Sequence, residues 1–316
     1  MKHKISKPFL THKQQIEKLS VDKKLLITDA AKAADILSRI CYYALIDGYK
    51  NLFYNPMTRQ YKEGTKLEDI LVLYYYDESL RNLYFRYLCH IEQRMRSLIS
   101  YYFSETYSHM QVAYLTPCNY NYVPKFQKQI DYLINKVLNY EANVNINHEY
   151  VVYQRNTYGN VPLWVLMNTL TYGQISKMYT YLKTGMQSKI SMPFEAVTEK
   201  ELGQFLKALT NFRNICAHNE RLFSFRNNTD IPDKHLHKAL SIPKKGNSYK
   251  MGKNDLFSVT IAFRYLLPRN EFLDFKRQLM RLIEQYTKKS DILTEEMLLN
   301  AMGFPVNWKN ITRYKL

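Results

Sequence analysis

A helical pattern of apolar residues that starts at Leu67 and runs with few breaks to about Tyr107 constrains the fold of this 316-residue chain more than any other feature. Leu, Ile and Tyr recur there, and in several later stretches, at the interval that lays one apolar stripe along a helix. Punctuation is scarce. Nine glycines and ten prolines serve the whole chain, too few for the closely spaced turns of a sandwich or barrel. An all-α fold with a substantial core is expected, as one large domain or two modest ones. The run from Leu67 is too long for one ordinary helix, so a break is expected near Tyr76 and Asp77, with Asp77 capping a second helix.

The same reading places helices over residues 12–20 and 29–46, where Ile36, Leu37, Ile40 and Tyr43 make an apolar stripe. Helical spacing returns over 126–140, 163–170, 174–182, 199 to about 221, 256–267 and 271–286. Residues 116–124 and the Asn-rich 143–160 read as irregular. Residues 244–253 combine Lys244, Lys245, Lys250 and Lys253 with two glycines and read as a mobile loop. The C-terminal tail is expected to be peripheral. Asp77 with Arg81 and Glu92 with Arg96 are four apart; on an exposed helix such ion pairs contribute only about 0.3–0.5 kcal/mol.

A formal charge of +17 is large for this length and points to polyanionic partners, nucleic acid before a membrane surface. Binding through Lys and Arg would release counterions and weaken steeply with salt. Arg81, Arg86, Arg94, Arg96 and Arg221, with the four lysines of 244–253, are the candidate RNA contacts, although charged helix faces are usually only solvated. Some of the 28 tyrosines, as in Tyr74–Tyr76, suit base stacking, but half-buried packing is the commoner use. Cys41, Cys89, Cys118 and Cys216 have no metal or disulfide spacing, which suits a reducing cytoplasm. No stretch approaches the roughly 18 apolar residues that span a bilayer, and no apolar h-region follows the basic start at Met1. A cytoplasmic protein without membrane attachment is expected.

The chemistry concentrates between Asn211 and Arg221, where Arg213 and His218 are separated by four residues inside a helical stretch. Arginine keeps its proton and holds phosphate oxygens in a planar fork; histidine titrates near working pH. Together they neutralise a phosphate and move a proton without a metal or another cofactor. Asn214, His218 and Arg221 fall on one helix face, whereas Arg213 and His218 are about 140° apart around the axis. One straight helix therefore does not bring both onto one phosphate. A two-fold pair of such helices would, with small Ala217 permitting close approach, so a composite site in a homodimer is expected. Alone, the spacing also fits a helix end with a polar face.

The longer string Arg213, Asn214, Ala217, His218, followed by Asn219, Glu220, Arg221, Leu222 and Phe223, resembles the signature of HEPN ribonucleases. More narrowly it is similar to the bacterial abortive-infection (Abi) family of phage-defence proteins. The likeness extends from about residue 5 to 226. It includes Lys7–Thr11 with Gln15, Ile16 and Leu19; Ile40–Tyr49; Leu73–Arg81; Ile91, Glu92 and Arg96; Pro162–Trp164; and Tyr172 with Gly173. Ala44, Leu45 and Ile46 depart from it, since the family places a basic residue after the tyrosine pair. The resemblance implies a multi-helix HEPN-like bundle over 64–290, an N-terminal helical segment over 1–63 and a tail over 291–316. It also implies a metal-independent endoribonuclease of a toxin-like system, controlled by an RNA or protein partner. Arg213, His218 and Asn214 would then be catalytic. A non-catalytic protein that forms a ribonucleoprotein with a dedicated non-coding RNA is the alternative. His235 and His237 lack metal-ligand companions at suitable spacing, Cys216 is too close to His218 for a nucleophilic pair, and no Gly-rich phosphate loop occurs.

Overall fold

Side-chain caps set where many of the helices begin. In the computed structural model, which describes residues 8–316, the principal helices are α1 (His12–Glu17), α2 (Ala30–Arg39), α3 (Leu67–Thr106), α4 (Glu149–Tyr158), α5 (Tyr172–Tyr181), α6 (Glu199–Ala217), α7 (Leu256–Leu266) and α8 (Arg269–Thr287). Thr11, Thr171 and Thr198 each close a capping box with Gln14, Gln174 and Glu201, satisfying backbone N–H groups at the starts of α1, α5 and α6. Among the described residues the only sheets are two antiparallel hairpins, Tyr54–Asn55 with Gln60–Tyr61 and Lys244–Lys245 with Ser248–Tyr249. The protein is all-α. The basic start and Lys7, read above for targeting and family likeness, lie outside the described residues.

Two compact units make up the chain: one holds the described residues through Arg81 with Arg277–Ala301, the other Asn82–Lys276 with Met302–Leu316. In the first, Asp77 explains why the expected break in α3 does not occur. Its carboxylate is fully buried inside the 40-residue helix, where it accepts from the Arg81 guanidinium at 2.7 Å and the Tyr49 hydroxyl at 2.8 Å. A buried carboxylate with two donors is satisfied by tertiary partners and has no need of a cap's free N–H groups. Burial, then the charge of Asp77, pushes the Tyr49 hydroxyl far above its ordinary range. Arg81 is therefore enclosed, and the expectation that it faces RNA is corrected. Ile36 and Leu37 are buried as the stripe on α2 predicts, whereas Tyr43 is exposed because the helix ends at Arg39.

The second unit is built around the later half of α3, whose Tyr84, Tyr87, Leu88, Ile91, Met95 and Ile99 are all buried. Against it lies α7, in which ten of eleven residues are buried. Tyr84 packs edge-on to Phe275 with ring centroids 5.1 Å apart, and its hydroxyl is 2.8 Å from that of Thr260. A helix buried on almost every side carries no amphipathic stripe, so its sequence reads by length and hydropathy alone.

Three further expectations are corrected here. The Asn-rich 143–160 segment contains α4, which stops at Gly159 with the left-handed φ of +61° that glycine adopts freely. The lysine-rich 244–253 segment is partly a hairpin, and Lys253 within it is buried, donating to the Ile231 carbonyl and to Asp233. The tail is not peripheral: Phe304 sits 4.8 Å from the Phe257 ring, and Trp308 is completely buried. Large aromatics bury enough apolar area to hold a segment with little regular structure of its own.

Candidate functional site

Helix α6 carries the Arg213 and His218 motif. Its inner face is Leu202, Phe205, Leu206, Leu209, Phe212 and Ile215, all buried, which fixes the rotation of the helix and hence which motif residues face outward. Asn214, Ala217 and His218 are exposed, and Arg213 is half-buried. The helix stops at His218. Asn219 takes φ +55°, its N–H reaches the Cys216 carbonyl at 3.5 Å, and the Glu220 N–H donates to the Ile215 carbonyl at 3.0 Å. These are the paired bonds of a Schellman stop, with Asn in the left-handed position. The expected continuation to Arg221 is thus cut short by Asn219. Asn219→Val is expected to cost about 1–2 kcal/mol, because a branched side chain resists that φ, while Asn219→Gly should be neutral or slightly stabilising. Urea unfolding of the two variants would measure the difference, and equal midpoints would refute the stop.

The two chemical groups of the motif are held differently. Arg213 Nε donates to Glu92 Oε2 at 3.4 Å, and the guanidinium carbon lies 5.5 Å from the centre of the Phe85 ring. Glu92 is buried and also accepts from Arg96 Nη2 at 2.6 Å; Arg96 in turn donates to the Leu170 carbonyl at 2.8 Å. A single carboxylate on α3 therefore serves two guanidiniums, Arg96 from the same helix and Arg213 from α6. Beside it, burial is the main reason the Tyr172 phenol is raised, followed by the charges of Glu92 and Cys89 and opposed by Arg213. Among the described residues its hydroxyl has no hydrogen-bond partner. Burial, reinforced by Glu92, also raises the Cys89 thiol, so this thiol is not activated as a nucleophile.

His218 lies at the helix end, where its own N–H donates to the Asn214 carbonyl at 2.9 Å. Among the described residues none hydrogen-bonds its ring, and no hydrogen bond joins it to Arg213. Asn211, in the same string, donates to Asn227 at 2.7 Å, and Asn227 donates to the Ala208 carbonyl at 2.9 Å; this clasp folds the segment after the motif back along α6.

The remaining candidates separate by burial. Arg94 donates to the Leu266 and Pro193 carbonyls at 2.9 and 3.1 Å and lies 4.2 Å over the Phe194 ring, and Arg96 is committed to Glu92. Arg221 is half-buried, whereas Lys244, Lys245 and Lys250 are exposed. Lys253 is enclosed. His237 uses both ring nitrogens on backbone partners, the Lys234 N–H at 3.0 Å and the Gly252 carbonyl at 2.7 Å, and burial lowers its basicity. Glu92, Phe85 and Tyr172 were missed as neighbours of Arg213. The Glu-x-x-x-Arg spacing of Glu92 and Arg96 was the available signal, but it shows nothing of a partner 121 residues away.

A family model described as Abi-like protein matches residues 35–224, more than half of the chain. This chain belongs to that family. The matched span of the Abi-like protein includes Glu92, Arg96, Arg213, Asn214 and His218 and stops before the lysine hairpin, and membership supports a role in abortive infection. No match was found among curated proteins or among solved structures. Among the described residues no helix is long and apolar enough to cross a membrane.

Proposed function

We propose that this Abi-like protein is a metal-independent endoribonuclease of the HEPN type, acting as a homodimer whose α6 helices face one another. The observation that carries the reading is the asymmetry at the end of α6: Asn214, Ala217 and His218 lie open together, while Arg213 stays tethered to a buried carboxylate one turn away. A second copy laid across the exposed end would bring its own histidine to the same groove, and Ala217 would let the helices approach. Only Nε of Arg213 is engaged by Glu92, so its two terminal nitrogens stay available for phosphate oxygens.

In this reading the substrate 2′-hydroxyl gives its proton to one His218 and forms a bond to the adjacent phosphorus. The bond from phosphorus to the 5′-oxygen breaks, and that oxygen takes a proton from the second imidazole. A 2′,3′-cyclic phosphate remains on one fragment and a 5′-hydroxyl on the other. Arg213 would stabilise the charge that builds on the phosphorane, and Asn214 would orient the histidine or donate to the phosphate. Arg221 and the exposed Lys244, Lys245 and Lys250 would contribute phosphate contacts. Control by an RNA or protein partner belongs to the same proposal.

Incubating the purified protein with RNA in EDTA is the test. Fragments ending in cyclic phosphate are expected, with no cutting at a site whose 2′-hydroxyl is replaced by hydrogen, and with activity per chain falling on dilution as dimers dissociate. Intact RNA, bound in a strongly salt-sensitive way, would instead support a non-catalytic ribonucleoprotein.

A further inference from the structure

A second concentration of positive charge lies in the unit that carries α6 and uses none of the motif residues. Arg94, Arg264, Arg269, Arg313 and Lys315 line one cavity of 800 Å³, with Glu195 the carboxylate side chain among its lining residues. Its size is that of sites that enclose small ligands, which run from about 300 to 1,000 Å³.

Two of these arginines, Arg94 and Arg264, are oriented by groups that carry no charge. Arg94 donates to two backbone carbonyls, and Arg264 Nη2 donates to the Tyr314 carbonyl at 3.4 Å. Phe194 lies under the first guanidinium and Phe272 under the second, at 4.2 and 5.7 Å. Carbonyls and ring faces orient a cation but bring no negative charge. Glu271, whose charge reaches Arg94, is itself bonded to His90 at 2.7 Å. Arg264 Nε is buried and has no hydrogen-bond partner among the described residues. Burial lowers the basicity of both guanidiniums; for Arg264, Glu195 opposes the shift and Arg269 adds to it. Nearby Lys276 is lowered too, by burial and then by Arg313. Like charges held together and partly desolvated are costly to the free protein, and an anion that supplies several oxygens removes that cost.

The geometry narrows the anion. Arginine forks match phosphate oxygens in pairs, and four of them around 800 Å³ exceed what a single phosphate can engage. We propose that this pocket binds consecutive phosphate groups, presented either by a single-stranded polynucleotide or by a free polyphosphate. The site stands whether or not α6 cuts RNA.

Calorimetric titration of the full chain with inorganic tripolyphosphate is the first arm, and saturable binding of one molecule per chain is expected. Arg269 and Arg313 are exposed, so Arg269→Gln with Arg313→Gln removes two charges without touching the core. This double variant should weaken binding by at least about tenfold, equivalent to about 1.4 kcal/mol. A charge-matched control, Lys125→Gln with Lys128→Gln at exposed positions outside both sites, should leave it within about twofold. A short 2′-O-methyl oligonucleotide, which the proposed chemistry cannot cut, distinguishes the sources. Displacement of tripolyphosphate by it assigns the site to a polynucleotide, and failure to displace assigns it to free polyphosphate. Equal weakening by the two double variants, or no saturable binding, overturns the proposal.

Discussion

Replacing His218 with alanine is expected to lower RNA cleavage by about 10²- to 10⁴-fold, the usual contribution of a positioned general acid or base. Stability should barely move. The ring is exposed at the end of α6, and the bond that His218 gives the helix stop runs from its backbone N–H to the Asn214 carbonyl, which alanine keeps. Exposed substitutions away from such features usually change stability by less than about 0.5 kcal/mol. The measurement is therefore paired: initial cleavage rates in EDTA beside urea unfolding of the same preparations. Loss of cutting with an unchanged unfolding midpoint assigns the histidine to chemistry. Undiminished cutting would remove His218 from the reaction and with it the HEPN reading of α6.

The sequence made the helices legible where apolar spacing and caps agree, as in α6 with its Thr198 start and its buried Leu202, Phe205 and Leu209. It misled where a charge had a distant partner. Asp77 reads as a cap because a carboxylate in a long apolar run has few other local uses, yet Tyr49 and Arg81 satisfy it within the fold. Lys244 and Lys253 look alike in a run of lysines, although one is solvated and the other buried beside Asp233. Tail residues such as Trp308 reveal their burial only through aromatic neighbours some fifty residues upstream, beginning with Phe257 against Phe304. At the candidate site, spacing identified Arg213, Asn214 and His218 together. It was silent on the carboxylate that holds one of them back, because pairing between α3 and α6 follows from packing and not from any local pattern.

That carboxylate is also where the largest loss of stability is expected. Glu92→Ala should destabilise the protein by about 3 kcal/mol, since breaking a buried ion pair leaves charge without compensation, and here one carboxylate serves two guanidiniums. The value sits at the low end for such sites because Arg96 and Arg213 remain 25% and 26% exposed, so water recovers part of what the carboxylate supplied. Glu92→Gln, which keeps a hydrogen-bond acceptor and the side-chain volume, should cost markedly less, and the difference between the two variants separates charge from packing. Denaturant unfolding measures both; if alanine were tolerated within about 0.5 kcal/mol, the triad would be a loose surface arrangement. Cleavage adds a second readout. With the charge at position 92 removed, Arg213 is held less firmly by a neutral acceptor, so the rate should fall in Glu92→Gln beyond anything its stability explains, with the unfolding curve of the same sample as the control. A Glu92→Gln protein that cuts RNA at the unaltered rate would mean that Arg213 needs no carboxylate to aim it, and that Glu92 serves only to join α3 to α6.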